Sequence, residues 1–209
     1  GAVGKLFTFN KLYLVSHEHG SIWNAGGLLK PFFYFWVFQS NKIVCNSNAA
    51  AVMIKKRINE KKIKIIYNGV SINIKKYNRI NKIKNSFEVV FIGRITGIKG
   101  VDALFEVAKI MSKKDNSIRF TFVGSGDKLS YLQDETKKLN LSKNIIFTGV
   151  INDISDLLKN SNVLILPSIR EPLGNVLIEA GLAGLPTIAS KIDGIPEIID
   201  DGKTGFLIE

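Results

Sequence analysis

The chain has 209 residues, of which 45% are hydrophobic and 22% charged, and it carries a net charge of +11. A chain of this composition can bury a large core, which excludes a disordered tail and a collagen-like fibre. Its single cysteine, Cys45, excludes an internal disulfide and indicates a reducing, cytoplasmic setting. No apolar run of the sequence reaches the roughly 18–20 residues that span a bilayer.

The positive charge lies in the first part of the chain. Residues 1–86 hold 15 Lys or Arg and 2 Asp or Glu, a net +13, whereas residues 87–209 hold 14 and 16, a net −2. This asymmetry suggests an anionic partner such as a membrane surface, the alternative being the amino-acid usage of an AT-rich genome. Nucleic acid is not expected as a partner, because neither a stacking platform nor a helix-turn-helix pattern accompanies the charge.

The first 86 residues predict a weak alternation of strands and helices. Strands are expected at residues 12–16, 42–45 and 63–67, with a helix over residues 49–58. The aromatic run at residues 31–38 is interpreted as a buried helix or, alternatively, as a surface helix that rests on an anionic membrane. Residues 71–86, rich in Lys and Asn, predict a linker between two α/β units.

Residues 87–209 predict a regular alternation of strands and helices. Strands are expected at residues 87–95, 118–123, 144–150, 162–167, 186–190 and 205–208, and helices at 101–111, 128–139, 154–159, 175–182 and 196–199. The strands are short, continuous apolar runs, which is typical of strands buried on both faces of a parallel sheet. Strands that alternate with helices form right-handed βαβ units, so an α/β fold with a doubly wound parallel sheet is expected.

Candidate ligand residues follow the predicted strands, because an open parallel sheet binds ligands beyond the carboxyl ends of its strands. The loop at 93–100 combines three glycines with Arg94 and Lys99 before a helix, which is compatible with a phosphate cradle. The alternative is an ordinary turn with solvated cations. The Gly-x-Gly at 124–126 is only part of a dinucleotide fingerprint, since Leu129 replaces the third glycine, and a tight turn is the preferred interpretation.

Two glutamates follow the predicted strand at 162–167. Glu171 lies in the loop, and Glu179 lies on the next apolar helix, on the same face as Asn175. An unpaired carboxylate on a buried helix is costly, so Glu179 is expected to bind a ligand or to pair with a cation such as Arg94 or Arg170. Two carboxylates at the mouth of a sheet favour the hydroxyl groups of a sugar or a ribose.

The order of these motifs resembles that of the family 4 glycosyltransferases. The resemblance is carried by Gly93-Arg94…Lys99-Gly100, Val123-Gly124-Ser125-Gly126, Phe147-Thr148-Gly149, Pro167-Ser168, the Glu171/Glu179 pair, Gly184-Leu185-Pro186 and Gly194-Ile195-Pro196-Glu197…Asp201-Gly202…Thr204-Gly205. Residues 12–70 match more thinly, through Glu18-His19 and Asn68-Gly69-Val70. The resemblance implies the GT-B architecture. In that architecture residues 1–70 are the end of an acceptor-side Rossmann-like domain. Residues 87–209 form a nucleotide-sugar-binding Rossmann-like domain without its last helices.

The resemblance also implies an activity. Such enzymes transfer a sugar from a nucleotide-sugar donor, with retention of configuration, to a glycan or lipid-linked acceptor. The expected role is cell-surface polysaccharide or glycolipid biosynthesis, in the cytoplasm or at the inner face of the plasma membrane, with peripheral contact to anionic lipid. The alternative is a non-catalytic module that binds a nucleotide sugar, or an inactive fragment, since the chain is shorter than the family pattern at both ends.

The matching positions imply a role for each candidate residue. Glu171 and His19 are expected as catalytic residues at the transferred sugar, and Arg94 and Lys99 at the donor diphosphate. Backbone amides at Leu173, Gly174 and Asn175 are expected at the donor sugar, and Glu179 at the ribose. No cofactor or metal is expected, because His17 and His19 have no evident third ligand. The sequence departs from the family at Leu173, where an aromatic residue is usual, and at Asp193, where glycine is usual.

Overall fold

The computed structural model describes residues 14–18, 35, 37–55, 58–70 and 86–209, with only the backbone of Glu18. His19, most of the linker predicted at 71–86 and most of the aromatic run at 31–38 therefore lie outside the described residues. The chain divides into two compact units, Gly1–Gly69 and Val70–Glu209. Within the part that the structure describes, no helix is long and apolar enough to span a membrane.

The first unit contains a three-stranded parallel sheet. Its order is β1-β2-β3, formed by Val15–Glu18, Lys42–Cys45 and Ile63–Ile65. Helix α1, Asn48–Lys55, begins where the Ser47 hydroxyl accepts a hydrogen bond of 3.0 Å from the Ala50 amide. The buried core of this unit comprises Val37, Ile43, Cys45, Ala50, Ala51, Ile54 and Ile58.

Three elements of this unit have bounds that differ from the prediction, and of these β3 ends at Ile65, two residues before its predicted end. Strand β1 begins after Leu14 and extends to Glu18, because His17 and Glu18 still pair with the neighbouring strand β2. Helix α1 ends at Lys55, and Ile58, predicted inside it, is a buried residue outside the helix. The helix was predicted too long because apolar periodicity marks residues that face the core. Ile58 faces the core from beyond the helix end and so continues the same pattern.

The second unit contains a six-stranded parallel sheet with helices between the strands, as predicted. The elements are β4 Phe87–Ile92, α2 Val101–Lys114, β5 Ile118–Val123, α3 Leu129–Lys138, β6 Ile145–Gly149, α4 Ser155–Asn160, β7 Val163–Leu166, α5 Asn175–Leu182, β8 Thr187–Ser190 and β9 Phe206–Ile208. Short 3₁₀ turns at Gly97–Lys99 and Ile195–Glu197 precede α2 and β9. The helix predicted at 196–199 is the second of these turns.

The strands of this sheet are apolar because they form the centre of the core. Val90 in β4 and Leu164 in β7 are completely buried. The rings of Phe122 and Phe147 stack with centroids 5.0 Å apart, and Phe91 lies 5.9 Å from Phe122. Strand β4 ends at Ile92, three residues before its predicted end, although Ile95 is fully buried in the following loop.

The strand order places a topological switch in the middle of this sheet. The order is β6-β5-β4-β7-β8-β9, so the chain runs outward from β4 to β6 and then returns to the other side of β4. The connections after β4 and β7 therefore leave neighbouring strands in opposite directions. Ligands of doubly wound sheets bind in the crevice that such a switch opens at the carboxyl edge.

Candidate functional site

The loops after β4 and β7 are packed together at the switch. Gly100 has φ +69°, and a Cβ atom at this position would overlap the carbonyl oxygen of Pro167. The Ile169 amide donates a hydrogen bond of 2.9 Å to the Ile98 carbonyl oxygen. This close approach needs a residue without a side chain at position 100, and it brings the predicted site residues of the two loops within reach of each other.

Lys99 and Glu171 form an ion pair across the switch. The Lys99 ammonium contacts Oε2 of Glu171, which also accepts a hydrogen bond of 3.4 Å from the Ser168 hydroxyl. The side chains of Lys99 and Glu171 are only 16% and 10% exposed. Within the described part of the chain, Oε1 of Glu171 has no hydrogen-bond partner, so it remains able to accept a bond from a ligand.

The backbone of Glu171 is held from the loop after β8. Its amide donates to Oδ2 of Asp193 at 3.0 Å, and its carbonyl oxygen accepts from the Gly194 amide at 3.1 Å. The same carboxylate oxygen of Asp193 accepts from Nε of Arg170 at 3.0 Å. Sequence reasoning assigned no role to Asp193 beyond a departure from the family pattern. The signal that could have found it is an acidic residue just after a buried strand.

Arg94 lies in the same loop as Lys99 but has different surroundings. Its side chain is exposed, and it forms no ion pair or hydrogen bond with any residue that the structure describes. The interpretation of solvated cations therefore fits Arg94 and does not fit Lys99. An exposed guanidinium without an internal partner can donate two hydrogen bonds to a phosphate group and need not first break another contact.

The Gly-x-Gly at 124–126 packs against the loop after β4. The Ile95 amide donates 2.9 Å to the Ser125 carbonyl oxygen, and a Cβ atom at Gly126 would overlap the Ile95 carbonyl oxygen. These contacts support the tight-turn interpretation, because they require glycine for packing between two loops. Their effect is to fix the backbone beside Arg94.

Helix α5 begins directly after the Glu171 loop. Gly174, with φ +87°, precedes its first residue Asn175, and no side chain caps its first turn. Leu173 is only 2% exposed, so its side chain belongs to the core and a ligand could contact only its backbone. A helix start without a side-chain cap is compatible with the predicted role of residues 173–175 in binding a sugar.

Glu179 is a half-buried carboxylate on α5. Burial raises its pKa above the ordinary value of 4.5. Neither Arg94 nor Arg170 pairs with it in the described residues, and Arg170 instead contacts Asp193. A half-buried carboxylate without such a partner costs free energy of folding and is compatible with a ligand contact.

Of the two histidines in the first unit, the structure describes only His17. His17 is exposed on β1, and His19 lies outside the described residues. Among the residues that the structure describes, no three His, Cys, Asp or Glu side chains come together as a metal-binding group.

These features define the class of protein. A doubly wound parallel sheet with charged side chains at its switch is a Rossmann-like unit, as the GT-B architecture expected for residues 87–209 requires. A family model for group 1 glycosyl transferases matches residues 73–209. The chain belongs to this family of glycosyltransferases.

Individual relatives agree with the family assignment. The chain is 28% identical to an uncharacterized glycosyltransferase of Methanocaldococcus jannaschii, over 94% of this chain and 56% of the relative. It is 29% identical to CapM of Staphylococcus aureus, a capsular polysaccharide biosynthesis glycosyltransferase, over 64% of this chain and 35% of CapM. The chain therefore spans about half the length of these relatives or less.

A solved structure shows the same fold. A variant of Staphylococcus aureus TarM, in complex with fondaparinux, alpha-GlcNAc-glycerol and UDP, superimposes with a TM-score of 0.80. The two chains are 25% identical, and the match covers all of this chain and 43% of TarM.

Proposed function

We propose that the protein containing this chain transfers a sugar from a nucleotide-sugar donor to a glycan or lipid-linked acceptor, with retention of configuration. The observation that carries the proposal is the sheltered Lys99–Glu171 pair at the switch, with one carboxylate oxygen still able to accept a hydrogen bond. UDP in the TarM complex supports a nucleotide donor, and the name of CapM supports a role in polysaccharide biosynthesis.

The donor diphosphate would be held by Arg94 and Lys99. The exposed guanidinium of Arg94 offers paired N–H groups, and the Lys99 ammonium keeps N–H groups beyond the one that contacts Glu171. Both cations would stabilise the negative charge that develops on the leaving diphosphate. In this proposal the two cations neutralise the diphosphate, and no metal ion or other cofactor takes part.

The transferred sugar would lie against Glu171. Oε1 of Glu171 accepts a hydrogen bond from a sugar hydroxyl, while Oε2 stays with Lys99 and Ser168. Backbone amides of residues 173–175 would bind the other side of the sugar. The assignment of His19 to the same sugar rests on the family resemblance alone.

Glu179 would bind the ribose of the donor. A carboxylate accepts two hydrogen bonds from vicinal hydroxyl groups, and the ribose would supply the partners that Glu179 lacks among the described residues. This contact would recover part of the free energy that its burial costs in the unliganded protein. Because the chain spans about half of its relatives, we expect it to bind a donor without transferring the sugar by itself.

The proposal is tested by replacing Glu171 in the whole protein. We expect Glu171→Gln to lower kcat/KM for release of the nucleotide diphosphate from UDP-sugars or GDP-sugars by about 100-fold or more, because a neutral amide is a weaker acceptor for the sugar. Glu106→Gln, which removes an exposed carboxylate on α2, is the matched control and should leave the rate unchanged. Full activity of Glu171→Gln would overturn the assignment.

The alternative function is a module that binds nucleotide sugars without turnover. It is favoured if calorimetry detects donor binding to the wild-type protein while no acceptor mixture supports release of nucleotide diphosphate. In that case Glu171→Gln should weaken donor binding, and neither the wild-type protein nor the variant should release nucleotide diphosphate.

We also propose that the first unit contacts anionic lipid at the inner, cytoplasmic face of the membrane. Phe38 is 53% exposed, and its carbonyl oxygen accepts from the Lys62 ammonium at 3.2 Å, so an apolar ring and a cation share one surface. Exposed Lys61 and Lys64 lie on the same segment. Flotation with vesicles should show binding to 30% phosphatidylserine that high salt reverses; equal binding to neutral vesicles would contradict an electrostatic contact.

A further inference from the structure

We infer that Asp193 is a positioning residue that fixes Glu171 for the reaction. The inference rests on the proposed function for its catalytic consequence, and on the geometry of the second unit for its structural part. Asp193 follows β8, the strand next to β7, and so reaches the Glu171 loop across the carboxyl edge of the sheet.

One carboxylate oxygen of Asp193 joins two consecutive residues of the Glu171 loop. Oδ2 accepts 3.0 Å hydrogen bonds from the Glu171 amide and from Nε of Arg170. The Asp193 side chain is only 17% exposed, so water competes little for these hydrogen bonds. Because a charged acceptor forms the stronger hydrogen bonds, the carboxylate anchors this backbone segment.

The turn that carries Asp193 also binds the carbonyl group of Glu171. The Gly194 amide donates to the Glu171 carbonyl oxygen at 3.1 Å. A Cβ atom at Gly194 would overlap the Pro172 carbonyl oxygen, so the two loops are in contact. Glu171 is therefore fixed by its amide, its carbonyl oxygen and, through Lys99, its carboxylate.

Asp193 adopts a backbone conformation that disfavours most side chains. Its φ is +43°, in the left-handed region where glycine is preferred. Strain of this kind persists only where surrounding contacts outweigh it, and it is concentrated at functional sites. The contacts to Arg170 and Glu171 are the compensation that the structure shows.

This arrangement predicts how position 193 affects catalysis. Without the Asp193 carboxylate, the Glu171 amide loses its acceptor, and the Glu171 side chain is free to shift from its place beside Lys99. A reacting group that shifts by about 1 Å can lower the rate by up to roughly 100-fold while ground-state binding changes little. Asp193 would thus act through Glu171 and not by touching the sugar.

The kinetic test compares two variants of position 193 in the whole protein. We expect Asp193→Gly, which relieves the strained φ, to lower kcat by roughly 10- to 100-fold with the donor KM within about threefold. Asp193→Asn retains an amide oxygen that accepts from the Glu171 amide, so its kcat should stay within about threefold of wild type. Unchanged kcat in Asp193→Gly, or equal losses in both variants, would overturn the inference.

A second measurement does not depend on any transferase activity. In a double-mutant cycle of urea unfolding, Asp193→Gly and Lys99→Met should couple by about fivefold or more in the unfolding constant, because both act on Glu171. Asp193→Asn with Lys99→Met should be additive, as should Asp193→Gly with Lys138→Met, which alters an exposed lysine of α3.

The two measurements separate failure of the inference from failure of the proposed function. Coupling in the cycle, together with an inactive wild-type protein, would retain Asp193 as the anchor of Glu171 and reject the transferase. Additivity of Asp193→Gly and Lys99→Met would reject the positioning role whatever the wild-type activity.

Discussion

At the level of single residues, the two carboxylates of the site have opposite surroundings. Glu171 is 8% exposed but has Lys99 and Ser168 as partners. Glu179 is half-buried, and its pKa is raised because burial disfavours its charged form. A carboxylate paired with a cation already has a hydrogen-bond donor, whereas one without a partner gains most from a ligand that donates hydrogen bonds.

The raised pKa of Glu179 predicts a pH-dependent effect of its removal. The folded state holds the Glu179 proton more tightly than the unfolded state, so this stabilising contribution is present below pH 4.5 and is lost as pH rises through the raised pKa. We therefore expect Glu179→Gln to increase the free energy of unfolding at pH 7 and to have little effect below the ordinary carboxyl pKa.

Urea denaturation at a series of pH values measures this effect. Glu106→Gln, an exposed change on α2, should show no comparable pH dependence. Destabilisation by Glu179→Gln at pH 7 would mean that the carboxylate has a stabilising partner. The same variant should bind UDP more weakly, since a ribose contact would be lost.

At the level of elements, the site depends on the contact between the loops after β4 and β7. These strands are neighbours in the sheet although about 70 residues separate them in the sequence, as Val89 pairs with Val163. Gly100 lies against the Pro167 carbonyl oxygen just before α2 begins. The distance between Lys99 and Glu171 is therefore set by a backbone contact one residue away from the lysine.

Substitution of Gly100 tests this contact. We expect Gly100→Ala to lower the free energy of unfolding by about 3 kcal/mol, because a Cβ adds both a left-handed strain and an overlap with backbone. Gly184→Ala is the matched control: its φ is +64° and its Cβ would meet open space. It should cost only about 1 kcal/mol, from the backbone conformation alone.

Chemical denaturation measures both variants, and calorimetry with UDP then measures donor binding under native conditions. Gly100→Ala should weaken binding because it moves the loops apart, whereas Gly184→Ala should not. Equal destabilisation by the two variants would show that the loops can separate at no cost.

At the level of the whole molecule, the first 86 residues and the rest of the chain differ in net charge. The net charge of +13 in residues 1–86 contrasts with the −2 of residues 87–209, and the proposed donor site lies in the second stretch. The cations that we propose for the donor are thus a few placed side chains and not the bulk of the positive charge. In the proposal, the excess charge of the first stretch attracts an anionic surface.

Ligand binding should therefore stabilise the second unit selectively. At a UDP or GDP concentration of 100 times Kd, we expect about 2.7 kcal/mol of added stability, seen as slower hydrogen exchange in β4, β7 and α5. Arg94→Gln should remove most of the effect by loss of a diphosphate contact. Arg119→Gln, an exposed change in β5, is the control. Equal protection of both units, or full protection in Arg94→Gln, would contradict the proposed position of the donor site.

Much of the second unit could be predicted from the sequence. Short apolar strands that alternate with amphipathic helices have one efficient arrangement, so the doubly wound sheet and most element bounds follow from local pattern. The motif order likewise indicated the family that the chain belongs to. Arg94, Glu171 and Glu179 could be proposed as site residues because Arg94 and Glu171 lie at or just after the end of a predicted strand and Glu179 lies on the helix that follows.

The partners of those residues were decided only by the tertiary structure. Lys99 meets Glu171, and Asp193 meets the Glu171 amide, because β4, β7 and β8 are neighbours in space. Hydrophobic periodicity reports which face of an element is buried, but it carries no information on which loops meet at the edge of a sheet. The sequence by itself therefore determined the elements and the candidate groups of the site, whereas strand order and loop packing determined which of these groups are in contact.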